Sequence, residues 1–255
     1  DQTFLERLGA SPEPVRERVE APRRQKLPAA GDSALDQLLA RRVTCRNYDM
    51  TRNLDIAQFG AVMYRAFGAR AVDEYAPGIF LLKKGAPSAG GLHPVEAYVL
   101  VQRVDGIAPG LYHYHPAAHA LEPIREMDSA ELEKLAKTCL GGQPYFAEAH
   151  VVVALVGRFA RNFWKYRNHA KAYRATILDA GHLSQTIYLA ATELGLAAFI
   201  TAAINEGEIE KAFGLDPMQQ GVISVNGFGR RGTERNEVEF DPLNAVWPAW
   251  PGPTR

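Results

Sequence analysis

The chain has 255 residues, 47% of them hydrophobic, with 29 acidic and 29 basic side chains and a formal net charge of zero. That balance argues against a broad nucleic-acid or polyanion surface, and the length suits one large domain or two small ones. Cys45 and Cys139 lie far apart without metal-ligand spacing, so neither a disulfide framework nor a zinc site is indicated. No apolar run is long enough to span a membrane and no signal peptide is visible. A soluble cytoplasmic protein with no membrane or nucleic-acid partner is the expectation.

Residues 1–31 carry Pro12, Pro14, Pro22 and Pro28 among many charges and read as an extended arm, expected to lie on a partner subunit. Residues 32–240 read as one domain. Asp32 or Ser33 caps a helix from Ala34 to Arg42. Asn53 is placed to cap a second helix, with Ile56, Phe59, Met63 and Phe67 on one face and Gly68 at its end. A short apolar run, Gly78 to Leu82, precedes a loop of small residues, Gly85 to Pro94, and a strand from Val95 to Arg103. Gly110–His115 and Ala120–Ile124 read as a hairpin around Pro116. Asp128 or Ser129 caps a helix to about Thr138. His150–Val156 is apolar throughout, as in a central strand.

The longest helical pattern runs from Asn162 to Phe199. Ile177, Ala180, Gly181, Ser184, Ile187, Tyr188, Ala191 and Leu194 recur at spacings of three and four, which marks a wide buried face. Ala197–Ala203 reads as a short strand. Asn205 with Glu208 forms a capping box for a helix ending at Gly214, and Gln220–Asn226 is a last central strand. Residues 241–255 form a tail with Trp247, Trp250 and four prolines, expected to dock on a surface across a dimer. The class is α+β, with a mixed sheet covered by helices.

Three constellations could carry chemistry. Arg41-Arg42-Val43-Thr44-Cys45-Arg46 puts three guanidiniums and a hydroxyl in six residues, a composition that suits a phosphate or completes a cationic helix end. The small residues Pro87 to Gly91 let backbone N–H groups approach a ligand, though the loop is neither a P-loop nor a dinucleotide fingerprint. Gly227-Phe228-Gly229-Arg230-Arg231, with Arg235 beyond, again sets arginine beside a glycine turn. The histidines point to no metal: His113, His115 and His119 fit alternation in a hairpin, and His182 reads as a core histidine.

Four motifs in order resemble the nitroreductase-like flavoprotein superfamily, in its SagB-type branch of thiazole/oxazole dehydrogenases. Arg42-Val43-Thr44-Cys45-Arg46-Asn47-Tyr48 is similar to the RRSxRxF signature. Pro87-Ser88-Ala89-Gly90-Gly91-Leu92-His93-Pro94-Val95-Glu96 looks like PSAGxxxPxE. Lys165-Tyr166 through Tyr173-Arg174 to Asp179-Ala180-Gly181-His182-Leu183-Ser184-Gln185 resembles the branch's KY…YR…EAGHxxQN run. Glu193-Leu194-Gly195-Leu196 matches its LGL ending. The resemblance covers roughly residues 34–240. Val43, His93 and Thr186 depart from the pattern.

The resemblance implies an intertwined homodimer with FMN at its interface. Arg42, Thr44 and Arg46 would hold the phosphate and ribityl chain. Pro87, Ser88, Ala89, Gly90 and Gly91 would pack along the ring, Gln185 would reach the flavin's side, and Arg231 or Arg235 would supply a far phosphate contact. Lys165 and Tyr166 would serve proton abstraction. A tyrosine is a weak base near neutral pH, and a nearby ammonium favours its phenolate. The first functional reading is dehydrogenation of a peptide azoline to an azole, with hydride passing to flavin N5 and other peptide-modifying enzymes as partners. A second is NAD(P)H-dependent reduction of a small molecule: a dehydroamino acid, nitro or quinone compound. A third is a non-catalytic peptide-binding subunit.

Overall fold

A computed structural model describes residues 7–29, 31–167 and 169–248. Two compact units divide the chain, Asp1–Asp36 and Gln37–Arg255. In the first unit, residues 7–29 are exposed throughout and hold one 3-10 turn, Ala21–Arg23, and an Arg24–Glu17 ion pair. Ser33 and Asp36 bond reciprocally: Ser33 N donates to Asp36 Oδ2 at 2.9 Å and Asp36 N to Ser33 Oγ at 3.2 Å. That box opens helix α1, Ala34–Arg41.

The second unit is built on a six-stranded sheet. In chain order its elements are α2 (Ile56–Phe67), β1 (Ala69–Ala76), β2 (Ile79–Lys84), β3 (Val95–Val101), β4 (Gly110–His115) and β5 (Ala120–Glu126). There follow α3 (Ser129–Cys139), α4 (Pro144–Ala147), β6 (Val151–Arg158), α5 (Phe159–Lys165), α6 (Lys171–Glu193), β7 (Leu196–Thr201), α7 (Glu206–Phe213) and β8 (Gln220–Arg230). The sheet order is β5-β4-β3-β6-β8-β7, and β1 with β2 forms a separate hairpin. Every pairing is antiparallel, so the sheet is antiparallel throughout rather than mixed. The interleaved pattern suggested crossovers of the kind that make neighbours parallel. Instead β3 to β5 run as a meander, and α7 returns the chain antiparallel between β7 and β8.

The period of two divides the strands between two cores. Val99, Val101, Val151, Val153 and Leu155 face α2 and α6. Leu100, Val152, Ala154 and Val156 face the side that holds α3, α4 and α7. A sheet covered on both faces needs apolar residues at every position of its central strands. That is why β6 is buried from Val151 to Gly157.

The helices start and stop as their caps dictate. Asp55, not Asn53, caps α2 through the amides of Ala57 and Gln58, while Asn53 donates to Asp105 at 3.0 Å. Asp128 caps α3, and Asn205 caps α7 through Glu208 N. The expected continuous helix from Asn162 is broken. α5 ends at Lys165, α6 begins at Lys171, and Tyr166 has left helical geometry at φ −102°, ψ 44°. The break folds α5 back on α6, where the buried Asn162 amide donates to Thr176 Oγ1 at 2.8 Å. The buried face of α6 is the expected one at Ala180, Ser184, Ile187, Tyr188 and Ala191, but it extends to Asp179 and Leu183 and leaves out Gly181 and Ile177, the latter 60% exposed. No helix of the described residues is long and apolar enough to cross a membrane.

Candidate active site

The loop between β2 and β3 is held from α6. Gly90, Gly91 and His93 sit at φ 64°, 71° and 47°, a left-handed path that favours glycine at the first two. Asp179, 3% exposed, accepts from Ser88 Oγ at 2.5 Å and from Ala89 N at 3.1 Å. Ser88 Oγ in turn accepts from His93 N at 2.8 Å. One carboxylate thus fixes both the turn's entry and, through a hydroxyl, its exit. His182, read from sequence as a core histidine, is exposed and lies with Nδ1 3.3 Å from Pro87 O.

α5 brings Lys165 over this loop. A Cβ placed on Gly90 would lie 2.5 Å from Lys165 Nζ, so the ammonium rests against the Gly90 backbone and any larger residue there would displace it. Lys165, Gly90, Leu92 and Trp164, with Tyr75, Ile79 and Leu81 of the β1–β2 hairpin, line an apolar cavity of about 430 Å³. Tyr166 follows Lys165 at the helix end but does not line that cavity. Arg161, one turn earlier on α5, donates to Leu92 O at 2.5 Å and to Phe80 O at 3.4 Å, tying helix, loop and hairpin together. Beneath them Lys84 is 6% exposed. Burial pushes its amine down to about 8 against the pull of Glu96. Burial, aided by the charge of Lys84, holds His93 down to about 4.

The second end of α6 holds the arginine-rich loop. Thr44 Oγ1 and Tyr188 OH lie 2.9 Å apart, and Tyr188 OH accepts from Ile200 N at 3.1 Å. The Arg42 guanidinium sits 5.4 Å from the centre of the Tyr188 ring. Asp179 and Tyr188 are nine residues apart, ~13 Å along the axis, so one helix spaces the two loops. Exposed Gln185 lies between them in sequence.

Arg46, Arg231 and Arg235 are placed differently from Arg42. All three are engaged by the segment that follows β8. Arg46 Nη1 donates to Val238 O at 3.4 Å, Arg235 Nη2 to Glu239 O, and Arg231 Nη1 to Glu239 Oε2 at 3.2 Å. Glu239, 2% exposed, also accepts from Arg46 N at 2.8 Å, Asn47 Nδ2 at 2.6 Å and Trp247 Nε1 at 2.5 Å. Burial works to raise the Glu239 carboxyl, but hydrogen bonds from Cys45, Trp247, the Arg46 amide and Asn47 outweigh it and hold it low. Trp247 is 7% exposed and packs on its own chain, not across a dimer as the tail suggested, while Trp250 lies outside the described residues.

Asp179, Tyr188 and Glu239 are the residues that sequence reasoning missed as site components. The available signals were a carboxylate and a phenol on the otherwise apolar face of α6. Glu239 gave none, since the loop it holds is about 190 positions away.

With this geometry in place, the family model described as "Nitroreductase family" matches residues 39–230. The chain belongs to the nitroreductase family. MJ1384 of Methanocaldococcus jannaschii, named a nitroreductase, is 29% identical over 73% of this chain and 87% of its own length. Trifolitoxin-processing protein TfxB of Rhizobium leguminosarum bv. trifolii is 35% identical over 64% of this chain and 43% of its own. Microcin B17-processing protein McbC of Escherichia coli is 26% identical over 58% and 54%. The matches thus span about half the length of the two processing proteins. Among solved structures, the Escherichia coli microcin synthetase McbBCD complex, with truncated pro-MccB17 bound, has a chain of the same fold. It matches at TM-score 0.63 and 22% identity, over 90% of this chain and 86% of that one. A nitroreductase-named protein from Exiguobacterium sibiricum, in complex with FMN, matches at TM-score 0.56 and 14% identity, over 88% and 100%.

Proposed function

We propose that this nitroreductase-family protein is an FMN-dependent oxidoreductase of ribosomal peptide maturation that dehydrogenates a peptide azoline to the azole. The observation that carries the reading is the Lys165 ammonium seated over Gly90, on the wall of an apolar cavity beside a loop of small residues. The names of two relatives, processing proteins for trifolitoxin and microcin B17, support a peptide substrate.

The residues present fit FMN. A Cβ on Gly91 would meet only Leu81, at 3.7 Å, and one on Gly181 would meet nothing within 4 Å, so a flat ring has backbone to approach. Arg42 and Thr44 would hold the phosphate, the Pro87–Gly91 backbone the ring, and Gln185 its edge. When bound, FMN supplies a two-electron acceptor. The chain's own tasks are then three. The cavity gives the substrate's ring an apolar wall. Lys165 favours a negative charge next to it. Tyr166, at the end of the helix that carries Lys165, takes the proton from the carbon next to the one that gives up hydride, so that a ring double bond forms as two hydrogens leave.

We further propose a homodimer. Tyr173, Ile177 and Leu178 on α6 are 51%, 60% and 57% exposed, an apolar stripe that a second copy would cover. A dimer formed there would set a second subunit beside the Pro87–Gly91 loop, since Leu178 and Ala175 share a cleft with Pro87, Ser88 and Ala89.

The test is incubation of FMN-loaded protein with azoline-bearing peptides, followed by mass spectrometry. Loss of two hydrogens, abolished in Tyr166→Phe, supports the reading. NADH- or NADPH-driven reduction of a small molecule with no change in any peptide would favour the nitroreductase activity instead.

A further inference from the structure

The family match ends at Arg230, yet Glu237, Val238 and Glu239 beyond it bond to Arg46 and Asn47 of the arginine-rich loop. Glu239 is the centre of that construction. Its side chain is 0% exposed and accepts from five donors: Arg46 N, Asn47 N, Asn47 Nδ2, Arg231 Nη1 and Trp247 Nε1. Asn47 and Glu237 add a reciprocal backbone clamp. Glu237 N donates to Asn47 Oδ1 at 2.7 Å, and Asn47 Nδ2 donates to Glu237 O at 2.9 Å. Asp241 accepts from the amides of Ala245, Val246 and Trp247, a turn that sets Trp247 in place. The Arg231 guanidinium then lies 5.7 Å from the centre of the Trp247 ring.

A fully buried carboxylate survives only when its lone pairs are filled, and removing it leaves buried donors without partners. Glu239 therefore does two things. It fixes the amides of Arg46 and Asn47, just beyond Thr44 and Cys45, and so the path of the loop that presents Arg42 and Thr44. It also supplies Arg231 with an anion from within the chain. An external phosphate brought to Arg231 would stand next to that carboxylate and be repelled by it.

We propose that Glu239 is a positioning residue for the anion-binding loop, and that the segment from Arg231 to Trp247 is a strap whose carboxylate takes the place of an outside anion at Arg231. The cofactor's phosphate is thereby directed to Arg42 and Thr44. This rests on the FMN reading given above, and it departs from the sequence expectation that Arg231 or Arg235 supplies the far phosphate contact.

The experiment pairs two readouts on the full chain. Amide hydrogen exchange of peptides covering residues 43–50 is followed in the cofactor-free protein, and FMN affinity is measured by quenching of flavin fluorescence. Glu239→Gln keeps the shape but removes the charge and turns one acceptor into a donor. It should speed exchange in 43–50 at least about tenfold and weaken FMN by about tenfold. Adding Arg231→Met to it removes the uncompensated guanidinium and should restore part of both, which a merely structural lesion would not do. Should Glu239→Gln fail to fold, Trp247→Phe deletes one donor only, and the same two changes should appear in smaller measure. Wild-type exchange in 43–50 for the folded variants overturns the strap. Faster exchange with unchanged FMN affinity overturns its link to the anion site. A wild-type protein that binds no FMN sinks the cofactor reading instead, and exchange in 43–50 then decides the strap by itself.

Discussion

Replacing Asp179 with alanine should loosen the loop that the whole candidate site depends on. The buried carboxylate accepts two hydrogen bonds, from Ser88 Oγ and Ala89 N. A hydrogen bond to a charged group contributes about 1.5–3 kcal/mol. Alanine also relieves the cost of burying the charge, so the lower end applies, about 3 kcal/mol for the pair. At roughly 2–4 °C per kcal/mol for a chain of this size, the melting temperature should fall by about 6–12 °C. Asp179→Asn keeps an acceptor for Ala89 N but leaves the Ser88 hydroxyl proton unmatched, so about a third of that drop is expected. Ser88→Ala removes the same hydroxyl and also orphans His93 N, and should resemble Asp179→Asn or exceed it. Calorimetry of the three variants, each scored for FMN retained on purification, is the assay. Flavin loss should exceed what the stability loss alone would cause, because the freed segment is the one proposed to hold the ring. An Asp179→Ala protein that melts with the wild type and keeps its flavin refutes the reasoning.

Other outcomes follow from the same geometry. Arg42→Ala should weaken FMN by about tenfold or more, since it removes a charge-assisted contact, and full flavin occupancy in that variant would remove Arg42 from the site. Tyr166→Phe should keep fold and flavin and lose about 10²–10⁴ in rate; Lys165→Ala should impair the same step, and wild-type rates in both would free the pair from any catalytic role. Burial holds His150, 0% exposed, neutral with its pKa down to about 4. The unfolded chain takes up that proton below about 6.5, so stability present above 6.5 should be lost as pH falls toward 4, by on the order of 3 kcal/mol. Glu239, whose folded value is also depressed, adds to the loss as pH falls through that value. Denaturant titrations from pH 7 to 4 on wild type and His150→Gln measure this, and equal slopes in the two would show that His150 is not responsible.

Much of the architecture was legible because local signals agreed with tertiary demands. The apolar run of β6 could be read as a central strand since both sheet faces are covered. Asn205 and Asp128 announced their helices because capping is a matter of four residues. The break between α5 and α6 was not legible. No proline or glycine marks residues 166–170, and the turn is held by Asn162 reaching Thr176, a contact that periodicity does not encode. β1 was missed for the opposite reason. It is exposed at nearly every position, so its sequence carries no apolar alternation.

The candidate site divides along the same line. Its loops could be found from composition, since glycine and arginine clusters are local features. Their anchors could not, because Asp179 and Tyr188 are buried polar groups on a face that periodicity marks as core, and Glu239 belongs to a segment remote in sequence from the loop it holds. The arginines show what this costs. Sequence alone assigns Arg42 and Arg46, and then Arg231 or Arg235, to one phosphate, whereas in the fold Arg231 meets a buried carboxylate and Arg42 lies against Tyr188 and Thr44.

The central claim, that this chain oxidises a peptide heterocycle with FMN, is tested most directly by a single anaerobic turnover. FMN-loaded protein is mixed with an azoline-bearing peptide, and the flavin absorbance and the peptide mass are followed together. The account predicts bleaching of the flavin in step with the loss of two hydrogens from the peptide, and neither change in Tyr166→Phe. A flavin that stays oxidised with azoline peptides, yet bleaches with NADH or NADPH and passes the electrons to a nitro or quinone compound, would contradict it.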